Sequence, residues 1–540
     1  MKLAELIMAE ARDRGLRHFF GLPGGGSPLE MVEFGRQLGI RFVSVAHESS
    51  AAIMAAYYGL MEDTAGLALA IKGVGAGNLA GGAANAHFER APVVCCCESA
   101  PTGITHQDLV SLCPHEGLFG GVVKYYANLS PEEAAESLQQ AFHLATDGRP
   151  GPVLLDFPSN LGQAECAPRG AGSPSPTACQ PDPQKIATAR QLLQAATRPV
   201  ILAGSDVIRA GATGELRTLA EEIGAAVLVS IDARGVFPES DPHWAGPFIG
   251  QFTPNLSESE IIAKADVALI VGVDSLASDQ PWNIELPTCE LVARPEYESL
   301  AIGPKVRVDG DLRVALKGLL SGSSREGFSE EEIRASRKTI LQHFNRPPQA
   351  RLAVQDILEI MRARMPSDGI LFSETGAFII MLHQLWPLDQ PGTHFCTAGG
   401  RTMGLTIPAI AGAKLAKPEV PMMGIGADGS TLMRLGELEV FARMNIAVPL
   451  VIVNDRALGT MKSRQKSRGM PDFALDLEPV DFAAIANACG LRGVTVETPE
   501  QLDEELKVAM AADRTTLIDA RVDPRPYQDS FASTIGILEN

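Results

Sequence analysis

No stretch of about 18 uninterrupted apolar residues, the minimum for a membrane-spanning helix, occurs in the 540 residues, so no membrane association is expected. Positive charge is in deficit. Against 65 Asp and Glu stand 46 Lys and Arg, a formal net charge of −19, which repels nucleic acid and anionic lipid at long range. The partner left open is a small anionic molecule held by a few local cations. Cysteine pairs at zinc-binding spacing are missing. The nine cysteines are scattered, "VCCCES" continues an apolar run, and the odd total fits reduced thiols in a cytoplasmic protein. A secretory leader is not expected either: "MKLAELIMAEARDRG" interrupts helically spaced apolar residues with acids and reads as a first helix. Aromatic residues make up only 5% while glycines number 52, a balance that favours closely packed α/β layers.

What is present is ordinary for a globular protein, 45% hydrophobic and 21% charged residues, and the length implies about three domains. Up to residue 165, strand-like runs ("IRFVSVA", "GLALAIKG", "PVVCCCE", "GPVLLDFP") alternate with amphipathic stretches, which implies βαβ units. "CAPRGAGSPSPTACQPDPQ" has the proline, glycine and serine of a linker. A second block, 186–330, carries "RPVILAG", "AAVLVS" and "ADVALIVGVDS", and the charged "SREGFSEEEIRASRKTILQHF" makes a second connector. From 350 to 540 the alternation returns with "GILFSE", "VPMMGIG", "VPLVIVN" and "TTLIDARV". No short repeat period appears. The expected fold class is α/β, with three doubly wound parallel-sheet domains over 1–165, 186–330 and 350–540.

In open parallel sheets, ligands sit beyond the carboxyl ends of the strands. Asp428 in "GIGADGSTLM" and Asp455 in "VIVNDRALG" each follow an apolar run, 27 positions apart, enough for one helix and a return strand. Leu432, Leu435, Leu438, Phe441 and Met444 supply the helical spacing between them. Two neighbouring strands would then offer two carboxylates to one hard cation. Gly426 and Gly429 let backbone amides approach an anion, and Ser430 and Thr431 open a helix whose positive end favours phosphate. Carboxylate, phosphate and water oxygens are the usual magnesium ligands, so this segment predicts a magnesium–phosphate clamp. The plainer alternative is an N-cap turn.

"GADGS" followed by "VIVND" resembles the binding motif of thiamine-diphosphate enzymes, and the likeness over nearly the whole chain is greatest to the acetolactate synthase large-subunit group. Ala427 stands where the motif has glycine, and Asp455 where its second asparagine is usual. The resemblance implies thiamine diphosphate and Mg2+ as cofactors, with Asp428, Asp455 and the main-chain carbonyl of Ala457 as metal ligands. It makes the three blocks a pyrimidine-binding, a central Rossmann-like and a diphosphate-binding domain. "FGLPGGGSPLEMVEFGRQLGIRFVSVAHESSAA" resembles the segment that ends in the catalytic glutamate, here Glu48, with Gly25 lining the reacting centre. "AIKGVGAGNLAGG" resembles the TSGPGATN segment, with Asn78 as its asparagine and Lys72 where serine is common. "TAGGRTMGLTIPAIAG" resembles the stretch bearing the apolar wedge under the cofactor, here Met403, and "SETGAF", which includes Thr375, looks like the ETG of simple 2-oxo acid decarboxylases.

This chemistry needs a cofactor ring that stabilises a carbanion beside a carbonyl carbon. A carboxylate such as Glu48, in apolar surroundings that disfavour its charge, suits sharing a proton with the cofactor's pyrimidine nitrogen. A flexible methionine suits the crook of the bent cofactor. His106 and Gln107 in "THQDL" resemble the polar residues that face the reacting carbon. Arg464 in "LGTMKSRQKSRG" falls where acetolactate synthases carry a selective tryptophan, so a cation here implies recognition of an anionic substituent; a solvated charged face is the alternative. Flavin ligands of the acetolactate synthases are not evident in "GVDSLASDQPW" or "LVARPEYESL", and FAD is not expected. The implied activity is a lyase or transferase acting on a 2-oxo acid or related carbonyl substrate, in a homodimer or homotetramer. A simple decarboxylase, a 2-hydroxyacyl-CoA lyase and a noncatalytic cofactor-binding module are the alternatives.

Overall fold

The computed structural model describes residues 1–104, 111–166, 179–251, 256–348 and 350–523. Its strands form three six-stranded sheets, and every strand pair is parallel, which buries both faces of each sheet under helices. The first contains β1 (His18–Gly21), β2 (Arg41–Ser44), β3 (Gly66–Ala70), β4 (Val93–Ser99), β5 (Tyr126–Asn128) and β6 (Pro152–Pro158) in the order β2-β1-β3-β4-β6-β5. The second contains β7 (Pro199–Ala203), β8 (Ala226–Ser230), β9 (Trp244–Phe248), β10 (Val267–Val271), β11 (Thr288–Val292) and β12 (Val306–Asp309) in the order β12-β11-β10-β7-β8-β9. The third contains β13 (Ile370–Ser373), β14 (His394–Phe395), β15 (Met422–Ala427), β16 (Pro449–Asn454), β17 (Arg492–Val496) and β18 (Thr516–Arg521) in the order β14-β13-β15-β16-β18-β17.

Counted from the first strand of each, the outer two sheets therefore share one topology, while the middle sheet has the order of dinucleotide-binding folds. The reversal of strand order lies between β1 and β3, between β7 and β10, and between β13 and β15. These are the crevices where such sheets hold ligands.

One hydrophobic core runs through the first and third sheets. Its centre is the helix Glu48–Glu62, buried from Glu48 to Gly59, as an alanine-rich helix with no polar stripe must be. Tyr57 on this helix meets Phe372 and Phe395 of the third sheet edge-on, each with ring centres 5.9 Å apart.

Two sequence expectations are corrected. The helix expected between Asp428 and Asp455 is three pieces: Asp428–Leu432, a tight turn Leu435–Glu437, and Leu438–Arg443. The break frees Arg434 to reach the Gly404 carbonyl (3.1 Å) and Ser49 Oγ (2.7 Å), while Leu438 and Phe441 stay buried. The connector "SREGFSEEEIRASRKTILQHF" is more than a tether. Its helix Glu330–Leu341 buries Arg337, whose guanidinium bonds Ser257 Oγ (2.8 Å) beside the middle sheet and Gln384 Oε1 (2.6 Å) beside the third. Most of the proline-rich linker lies outside the described residues. Among the described residues no helix is long and apolar enough to cross a membrane.

Candidate active site

β15 and β16 pair with Ala427 opposite Val453, so Asp428 and Asp455 leave the sheet at one edge, beside the loop after β13. Asp428 is 2% exposed. Its Oδ1 accepts the N–H of Gly429 (2.6 Å) and its Oδ2 that of Arg456 (2.7 Å), while Asp455 Oδ1 accepts the N–H of Ala457 (3.1 Å). Arg456 takes the left-handed φ of 57°, the bend that turns its N–H back to Asp428. Burial, and then the charge of Asp455, push the Asp428 carboxyl above the usual carboxylate range. Among the described residues no side-chain cation forms an ion pair with Asp428. A buried carboxylate with a half-buried one beside it fits a divalent, oxygen-seeking cation. The described residues hold no group of three or more His, Cys, Asp or Glu that could bind a metal, so further ligands would be main-chain and phosphate oxygens.

Both carboxylates border a cavity of about 340 Å3, within the range of small-molecule sites. Its wall includes Thr375, Met403, Gly429, Ser430, Ala457 and Arg464, so these sequence-identified residues converge. Arg464 is on the helix Gly459–Ser467 and exposed, with no side-chain partner among the described residues. Its neighbour Lys462 is instead paired with Asp472 (3.1 Å) and Asp476 (2.6 Å). The helix that starts at Asp428 has only five residues, so individual N–H groups, and little summed dipole, face an anion there.

Gly426 does not line the cavity. A side chain at this position would collide with the carboxylate of Glu374, a residue passed over in the sequence although it follows the apolar run of β13 just as Asp428 follows β15. Glu374 Oε2 accepts the N–H of Leu405 (2.7 Å) and Thr406 (3.3 Å). On the same loop, Glu89 accepts those of Ala398 (2.9 Å) and Gly400 (2.8 Å). Two buried carboxylates from different layers thus hold the segment that carries Met403. Burial raises Glu374 to about 7. The native state then keeps a proton that the unfolded chain has lost, so stability falls as pH rises from the ordinary glutamate range to about 7. Glu374→Gln is expected to flatten that fall, as measured by denaturant unfolding at pH 5 and pH 7.5; an unchanged pH slope would contradict it.

A second group gathers at the carboxyl edge of the first sheet. Glu48 begins the central helix and is 6% exposed. Asn78 Nδ2 donates to its Oε2 (3.0 Å), and Oε1 carries no hydrogen bond from the described residues, a fit for a ligand nitrogen. The backbone ahead of it is fixed by Glu437, which accepts the N–H of Ala46 (3.1 Å) and His47 (3.1 Å). Gly25 lies exposed on the loop after β1. Glu48, Asn78 and Gly25 are not part of the Asp428 cavity wall. His106 and Gln107 lie outside the described residues.

The crevice of the middle sheet is entered by a side chain from the first layer. Arg149, 7% exposed, reaches in from the first layer and donates to Asp206 Oδ2 (3.1 and 2.9 Å) and to the Val273 carbonyl (3.0 Å), with Asp274 3.2 Å away. Tyr297 stacks over its guanidinium at 4.2 Å. Gly204 after β7 approaches Val273 after β10 so closely that a side chain would collide. Beside it a small cavity of about 120 Å3 is bordered by Arg90, Arg209, Asp232 and Asp274.

Three family profiles match the chain: the N-terminal TPP binding domain of thiamine pyrophosphate enzymes over residues 1–118, their central domain over 186–316, and their C-terminal TPP binding domain over 374–520. Similar proteins include the probable acetolactate synthase large subunit of Methanocaldococcus jannaschii, 27% identical over 97% of this chain and 92% of that protein. The acetolactate synthase isozyme 3 large subunit of Escherichia coli is 28% identical over 96% of this chain and 94% of its own length. The acetolactate synthase of Arthrospira platensis is 28% identical over 96% and 93%. With its three sheets, its strand-end carboxylates and these matches in register along the chain, the protein belongs to the thiamine pyrophosphate enzyme family.

Proposed function

We propose that this protein is a thiamine-diphosphate- and magnesium-dependent enzyme that decarboxylates a 2-oxo acid and passes the remaining fragment to a carbonyl acceptor, in the manner of an acetolactate synthase. The observation that carries this reading is the Asp428–Asp455 pair at the sheet crevice, bordering a cavity whose wall includes Met403. Asp428, Asp455 and the Ala457 carbonyl would hold the cation, with Thr375, Gly429 and Ser430 around the diphosphate. Bound thiamine diphosphate supplies the ring that stabilises negative charge on the former carbonyl carbon. Met403 would support that ring, and Glu48, oriented by Asn78, would hold a proton toward the pyrimidine nitrogen. The family resemblance implies that Glu48 of one chain faces the Asp428 site of another, and the absence of Glu48 from the Asp428 cavity wall is consistent with that, so we assign the complete site to a homodimer or a larger homo-oligomer. The similarity to acetolactate synthases over nearly the whole chain weighs against the acyl-CoA lyase reading. All nine cysteines are unpaired, which supports a reducing, cytoplasmic setting.

The test is carbon dioxide release from a panel of 2-oxo acids with added thiamine diphosphate and Mg2+, with products separated into free aldehydes and carbon–carbon ligated acids. A protein that shows no release and no saturable cofactor binding would overturn the reading. Arg464, at the cavity rim, recognises an anionic substituent on the acceptor. Arg464→Gln is accordingly expected to raise KM for anionic acceptors about tenfold and to leave neutral aldehyde acceptors nearly unchanged. Equal effects on both would remove Arg464 from this role.

A further inference from the structure

The first and third sheets have the same strand order, and their registers match at the crevice. Gly21, the last residue of β1, pairs with Leu69, and Ser373, the last residue of β13, pairs with Ile425. Three residues past Ile425 is Asp428; three residues past Leu69 is Lys72. Where the third sheet presents its metal-type carboxylate, the first sheet presents an ammonium.

That ammonium is not simply solvated. Lys72 Nζ lies 3.2 Å from Glu98 Oε2, and the two side chains are 22% and 2% exposed. Glu98 ends deep beneath the loop after β1. A side chain on Gly26 would collide with its carboxylate, and one on Gly24 would come within 2.7 Å of Ile71. The glycines of "PGGGS" thus let the loop close down on the ion pair. Lys72 shares its turn with Gly75, where an added Cβ would lie 3.1 Å from Glu48 Oε1. A half-buried cation, fixed from below by a buried anion, therefore stands at the ligand crevice of the first sheet on the same turn that packs against Glu48.

We infer that Lys72 binds the carboxylate of the 2-oxo acid and that Glu98 limits how tightly it does so; the inference rests on the proposed function above. An ammonium carries three donors, and one is directed at Glu98, leaving two for a substrate carboxylate. The partial neutralisation has a chemical use. A carboxylate that is to leave as neutral carbon dioxide loses its charge on the way, so a full, unshared cation would stabilise the bound substrate more than the transition state and slow the reaction. A cation already paired with Glu98 orients the carboxylate without that penalty. Lys72 is thus a specificity residue for the acid function, and Glu98 a positioning residue acting through it.

The two halves of the pair have opposite signatures. Lys72→Met is expected to raise KM for the 2-oxo acid about tenfold or more, with thiamine diphosphate affinity unchanged and Lys72→Arg recovering part of the loss. Glu98→Gln is expected to lower KM and lower kcat together, because it leaves the ammonium's charge uncompensated. A pair that merely braced the loop would instead make both substitutions raise KM for substrate and cofactor alike. The kinetics are read on full-length protein with saturating thiamine diphosphate and Mg2+, beside melting curves of each variant. An unchanged KM in Lys72→Met, or shifts of the same sign in Lys72→Met and Glu98→Gln, overturns the inference while an active wild type leaves the proposed function standing. A wild type that neither binds nor converts any 2-oxo acid overturns both.

Discussion

Glu48→Gln is expected to reduce turnover by about 10²- to 10⁴-fold, the contribution of a positioned acid–base group, with the fold intact. The amide has the carboxylate's shape and can still accept the Asn78 hydrogen bond seen at 3.0 Å, but it cannot exchange a proton with a ring nitrogen at Oε1. The helix start should not move, since Glu437 and His47 hold the backbone through the N–H groups of Ala46, His47 and Ser49. Turnover at saturating cofactor, together with the melting temperature, checks the expectation. Near-normal kcat in a folded variant would remove Glu48 from the chemistry.

The second large effect is on cofactor retention. Wild-type protein with Mg2+ and thiamine diphosphate at about 100 times their dissociation constant gains about 2.7 kcal/mol of stability by mass action. Asp428→Asn is expected to lose that gain, along with activity, because one of the two carboxylate ligands becomes a weaker neutral donor. Without cofactor the gap should narrow: the neutral amide removes the repulsion with Asp455, but its NH2 cannot accept one of the two N–H groups, of Gly429 and Arg456, that the carboxylate holds. The comparison needs melting curves with chelator and with Mg2+ plus thiamine diphosphate. Equal stabilisation of variant and wild type would rule out Asp428 as a metal ligand.

Most of the strands that were readable in the sequence are buried on both faces; β2, a half-exposed edge strand, is an exception. β3, β4, β6, β13, β15, β16 and β18 appear as runs of Val, Ile, Leu, Ala, Met and Cys, and a strand-end carboxylate such as Asp428 stands out against them. The strands that were not named are mostly at sheet edges. β5, β14 and β17 are short or only half-buried, so their apolar signal is faint. The broken helix after Asp428 was unreadable for a different reason. Its apolar spacing is helical, but Arg434 and Glu437 are drawn to Ser49 and to the backbone before Glu48, hundreds of residues earlier.

The same division runs through the site. Asp428, Gly429, Ser430, Asp455, Ala457, Thr375, Met403 and Arg464 could be named from local pattern and resemblance, and they converge on one cavity. Glu374 was within reach of the same strand-end rule. Glu89, Arg149 and Glu98 were not, because each acts on a partner from another part of the chain: the loop before Met403, the strand ends of the middle sheet, and Lys72.

By itself the sequence determined the chemistry on offer: parallel α/β layers from the placing of apolar runs, and oxygen ligands at strand ends from acids among small residues. Those are local properties, set by side-chain periodicity and by what a strand must bury. Only the tertiary structure decided which charges share a crevice, that Arg149 enters the middle one, and that Glu98 pairs with Lys72. Such pairings depend on strand order and on burial, which set the distance and the solvent screening between charged groups, and neither quantity is written in any short stretch of chain.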